Sequence, residues 1–208
     1  SITSRFATPP RSETATSEML RQQSGQIQEI GFGLYTELLD RAVRALKSGK
    51  VPDFDLTSEH ETEVELHLPA LIPEDYLPDV HTRLTLYKRI ASARNEEGLR
   101  ELQVEMIDRF GLLPDQTKCL FAVAQLKLMA TPLGVRKLDV GPNGGRITFR
   151  DKPDIDPMAL IKLIQQQPRV YKMDGQDKLR VLMELPGSSE RIRTAQDLLV
   201  ALGAPRPG

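Results

Sequence analysis

The feature that most restricts the fold is a pattern written twice in the last third of the chain. "VRKLDV", the turn "GPNGG" and "RITFR" read as a hairpin, and "DPMALIKLIQQQ" follows as a helix. "RVYKM", the turn "DGQD" and "KLRVLMEL" then read as a second hairpin, followed by a helix over "SERIRTAQDLLVAL". Ile147 and Phe149 alternate with Arg146, Thr148 and Arg150, so the sheet is expected to keep one wet face. Leu160, Leu163 and Ile164 give the first helix an apolar stripe, and Ile192, Ala195, Leu198, Leu199 and Leu202 give the second one its own. Two strand-strand-helix units predict a four-stranded antiparallel sheet with helices on one face.

The front is mostly helical, which makes the fold class α+β. Residues 1–26, rich in Ser, Thr, Gln and Arg, read as an irregular linker. The domain proper is expected over 27–205, with a helical front at 27–131 and the sheet-plus-helices back at 132–205. Gly33 to Ser48 carries Tyr35, Leu38, Leu39, Ala42 and Leu46 on one helical stripe. "TEVELHL" alternates like a half-buried strand, with Val64, Leu66 and Leu68 inward. Asp79 or Thr82 can cap a helix presenting Leu84, Tyr87, Ile90 and Ala91. Asn95 can cap the next, which runs through Leu99, Leu102, Met106 and Phe110 and stops at Gly111. A third helix from Pro114 is so apolar between Leu120 and Leu128 that it is expected to be largely buried.

Composition and motifs narrow the chemistry. The chain has 208 residues and a formal charge of −1, which disfavours a whole-chain polyanion binder while leaving a local basic face open. One cysteine, Cys119, excludes an internal disulfide, and its helical apolar surroundings favour packing over nucleophilic chemistry. Without a membrane-length apolar run or a signal-like segment, a soluble cytoplasmic protein with no membrane partner is expected. The only Gly-Lys pair, Gly49-Lys50, follows a helix and precedes Val51, the wrong setting for a phosphate loop. The three histidines, His60, His67 and His81, read as surface residues rather than metal ligands. The chain is therefore expected to be no enzyme by itself and to hold no cofactor or metal.

Two surfaces remain as binding candidates. Arg146, Arg150, Lys178 and Arg180 can point the same way from the wet sheet face and attract phosphates, although no outward aromatic ring offers a base a platform. The other is "LPALIPEDYLPDV", where Pro69, Pro73 and Pro78 bias their preceding residues toward extended backbone. Leu71, Ile72, Tyr76 and Leu77 are expected to insert into a partner, with Glu74, Asp75, Arg83 and Lys88 steering it. The competing reading is that this strip lids its own core.

The same strip, continued through "HTRLTLYKRIASA" and "EMIDRFGLLPDQ", resembles the C-terminal domain of the bacterial transcription-repair coupling factors, the Mfd family. The resemblance extends upstream through "QSGQIQEIGFGLYTELLDRAVRALKSGK" and downstream through "LGVRKLDV" and "GGRITF". It implies a regulatory domain of a DNA translocase that releases RNA polymerase stalled at lesions and recruits nucleotide excision repair through UvrA. In that family the domain docks on an N-terminal UvrB-like module, masks the UvrA-binding surface and restrains the motor. ATP and Mg²⁺ belong to the motor part, as does contact with double-stranded DNA. "QQSGQI" resembles the end of a translocation motif, and Gln23 matches its glutamine, which would make residues 1–26 a remnant of the translocase part.

Overall fold

The computed structural model describes residues 61–208. The expected linker at 1–26, Gln23 within it, and the helix at 33–48 lie outside the described residues.

The described chain opens on β1 (Glu63–Glu65) and crosses a helical front of α1 (Val80–Ala91), α2 (Glu96–Phe110) and α3 (Asp115–Ala130). A short 3₁₀ turn, Thr131–Leu133, leads into β2 (Val135–Gly141) and β3 (Gly144–Phe149). Then come α4 (Pro157–Gln166), β4 (Tyr171–Met173), β5 (Lys178–Val181) and α5 (Ser188–Ala201). The order of the sheet is β1-β2-β3-β5-β4.

The doubled hairpin-helix pattern forms as expected, and the second hairpin attaches by antiparallel pairing of β5 with β3. The expectation of four antiparallel strands needs one correction: β1 pairs in parallel with β2, Val64 beside Leu138, and makes the sheet five-stranded and mixed. Parallel pairing requires a long crossover, and the three-helix front supplies it. Thr62 fastens the start of β1, its hydroxyl donating to the Val135 carbonyl at 2.6 Å. The strand ends early because His67 takes a left-handed backbone, φ 53°, that bends the chain away.

The inner face carries Leu138, Val140, Ile147, Phe149, Leu179 and Val181, all buried beneath the helices. At the β2–β3 turn the strands run too close for a side chain: a Cβ on Gly145 would sit 2.1 Å from the Asp139 carbonyl oxygen. Arg191 of α5 is buried as well. Its guanidinium donates to the carbonyls of Leu66, Leu185, His67 and Pro186, tying α5 to the end of β1.

Two cores meet at α3. Val123, Leu126, Met129 and Ala130 face the sheet, whereas Leu120, Phe121 and Ala124 face α1 and α2. The caps expected from sequence form: Asp79 accepts from the Thr82 amide, Asn95 from the Gly98 amide, and Gly111 ends α2 at φ 94°. On α1 the buried face is Leu86 and Ile90, while Leu84 is only half-buried and Ala91 is exposed. Because α3 serves both cores, Phe121→Ala is expected to cost about 3–5 kcal/mol in urea unfolding. Fluorescent probes placed in the front and the back should lose structure in one coincident transition.

Candidate partner-docking site

The proline strip resolves into a lid. Ile72 and Leu77 are 3% and 4% exposed and belong to the front core, together with Leu86, Ile90, Leu102 and Met106. Its extended backbone has few neighbours of its own kind, so side chains and helix ends satisfy it. The Leu71 amide donates to the Gln116 carbonyl at 3.1 Å, and the Thr117 hydroxyl donates to the Leu71 carbonyl at 3.0 Å. The Tyr87 hydroxyl accepts from the Ile72 amide at 2.7 Å, and Arg83 donates to the Leu77 carbonyl at 3.0 Å.

Several expected anchors are thereby reassigned. Ile72 and Leu77 have no free surface to insert into a partner, because their apolar area is spent on this chain's own helices. Leu71 is half-buried and held by both its backbone groups. Tyr76 packs edge-on to Phe110 at 6.2 Å and reaches the Gly111 and Met106 carbonyls at 2.8 and 3.3 Å. Arg83 is occupied on the strip itself, whereas Glu74, Asp75 and Lys88 remain exposed. A Tyr76 substitution is therefore expected to change the stability of the domain.

The front exposes Val80 at the first position of α1, 55% accessible, and a longer apolar strip on and just beyond α2. Leu99, Leu102 and Met106 are buried, so Val104 and Ile107, one helical turn apart, fall on the wet side. They are 54% and 38% exposed, and Leu112, just beyond the Gly111 turn, is 85% exposed. Charges frame this apolar strip. Glu105 takes Arg89 of α1 at 2.7 Å and lies 3.7 Å from Arg109, whose guanidinium stacks over the Phe110 ring at 4.8 Å. The hydrogen bond from Arg89 holds the Glu105 carboxyl below the usual glutamate range; burial opposes it, and the charges of Arg89 and Arg109 add to the lowering. Burial raises the Cys119 thiol, as suits a packed side chain.

The wet sheet face brings together three of its four expected cations. Lys178, Arg180 and Arg146 line a shallow concavity of about 430 Å³ with Lys137, Asp139 and Asn143. Arg150 leaves this group, donating instead to the Glu61 carbonyl at 3.1 Å. His67, two residues past the end of β1, lies against Asp139 of the neighbouring β2 at 2.7 Å. No helix among the described residues is long and apolar enough to cross a membrane.

Residues 66–160 match the TRCF domain family, which sets the class. The chain is 47% identical over 183 residues to a transcription-repair-coupling factor of Haemophilus influenzae, covering 88% of this chain and 16% of the relative. It is 46% identical over 178 residues to that of Escherichia coli, covering 86% and 16%. A crystal structure of the C-terminal domain of a transcription-repair coupling factor shares the fold, with a TM-score of 0.57 at 22% identity, covering 69% of this chain and 91% of that one. The chain belongs to the transcription-repair coupling factor family, and it spans 16% of the length of these two relatives.

Two outcomes follow from this geometry. Tyr76→Phe, which removes the hydroxyl alone, should lower stability by about 0.5–1.5 kcal/mol in urea titration. The Glu105 carboxyl has a depressed folded-state pKa, so its stabilising contribution is present above the ordinary glutamate range and is lost as pH falls through the lowered value. In Arg89→Ala, a carboxyl NMR titration should find the Glu105 pKa moved up toward its ordinary value.

Proposed function

We propose that this chain is a regulatory docking domain that grips the UvrB-like N-terminal module of its parent protein. Docking masks the UvrA-binding surface and restrains an ATP-dependent DNA translocase that frees RNA polymerase stalled at lesions. The family membership supports the setting. The observation that carries the reading is the exposed strip of Val104, Ile107 and Leu112, framed by the Arg89–Glu105–Arg109 charges on a well-capped helix. Apolar groups left in water on a rigid element supply binding energy without a large ordering cost.

The mechanism is a population shift between closed and open arrangements of the parent. A closed state favoured by about 2–4 kcal/mol dominates by roughly thirty- to a thousandfold, yet yields to a competing partner. Glu74 and Asp75, left exposed on the lid, add long-range steering on the same half of the domain.

Calorimetric titration of the chain with the UvrB-like module tests this. Ile107→Glu and Leu112→Asp should each weaken binding by about tenfold or more, with circular dichroism melts unchanged. UvrA and the chain should compete for the module. Undiminished affinity in both variants, or a ternary complex with UvrA, would refute the reading.

A further inference from the structure

The outer face of the sheet is divided by charge. Register places Lys172 beside Arg180, Arg180 beside Arg146, Arg146 beside Asp139, and Asp139 beside Glu65, in one row across all five strands. Lys178 stands two residues from Arg180 along β5, on the same face. Three cations are thus direct cross-strand neighbours, an arrangement that repels itself. Only Arg146 has a carboxylate, Asp174 at 3.2 Å; among the described residues Lys172, Lys178 and Arg180 have none. On the acidic side, Lys137 is drawn to Glu63 at 3.8 Å and His67 to Asp139.

A row of like charges that weakens its own sheet is relieved when an anion lies over it. The width of the row decides which anion. Neighbouring strands are about 4.8 Å apart, so the basic row spans only about 10 Å before the acidic half begins. A nucleic-acid duplex is wider than this, and its phosphates would overhang Asp139 and Glu65. Single-stranded nucleic acid would want outward aromatic rings, and the row has none. A single extended acidic peptide fits the width. Leu182, 37% exposed beside the same concavity, offers it one apolar contact.

We infer that the β3–β5–β4 half of the outer face binds an acidic peptide segment of a protein partner through Lys172, Lys178, Arg180 and Arg146. This surface is separate from the α2 strip, so the domain can hold one partner at each.

Fluorescence anisotropy of the whole chain with a fluorescein-labelled peptide of Asp and Glu carrying one Leu near its end tests the inference. Binding should saturate and weaken with salt. Arg180→Glu should cut affinity by about tenfold or more while raising Tm by about 1–3 °C, because it turns two repulsive neighbours into attractive ones. Lys162→Glu on α4, the same change of net charge elsewhere, should leave affinity intact. Should Arg180→Glu fold poorly, the double variant Lys178→Gln with Arg180→Gln carries the same test. Peptide affinity indifferent to these changes overturns the inference. So does preferential binding of duplex DNA that Arg180→Glu abolishes, or self-association of the chain through this face.

Discussion

Beyond its exposed first turn, helix α3 has no exposed residue from Cys119 to Ala130, and the rest of the domain is arranged around that fact. Its apolar residues surround the axis, so no single neighbour can cover it. The sheet takes Val123, Leu126 and Met129, and the α1–α2 pair takes Leu120, Phe121 and Ala124. One helix thereby becomes the wall between two cores, and the helical front cannot shift without exposing α3 to water. The cost of that exposure, about 25 cal/mol for each square ångström of apolar surface, makes α2 a rigid platform.

The proline strip follows from the same wall. Extended backbone cannot satisfy its own polar groups, so the strip is placed where others do so: the first turn of α3 holds Leu71, and α1 holds Ile72 and Leu77. Its prolines remove amide donors that would otherwise need partners. The bends that suggest a recognition motif are, in this chain, the means of closing the front core. What the lid leaves outside is acidic, and α2 leaves Val104 and Ile107 outside among its charged residues, which together give the front half its binding character.

Much of this was legible along the chain. Asn95, the Leu99–Phe110 stripe and Gly111 specify α2 locally, and the hairpin turns specify β2–β3 and β4–β5. The parallel pairing of β1 was not legible, because Val64 and Leu138 are brought together by a crossover that leaves no local mark. Nor did sequence decide the strip, since both of its readings require the same apolar residues and differ only in what they face. Val104 and Ile107 carry a readable signal, since both are apolar and both fall off the buried stripe of their own helix. Arg191 carried none, being an ordinary polar position on an amphipathic helix until the carbonyls of Leu66 and Leu185 surround it.

Hydrogen exchange of the chain, alone and mixed with the UvrB-like module, tests most directly whether α2 is the gripping surface. Added protection should concentrate over residues 104–113, with the amides of α3 and the sheet interior unchanged because the core already protects them. Protection absent from that segment and gathered elsewhere, or no change at all at saturating module, would contradict the account.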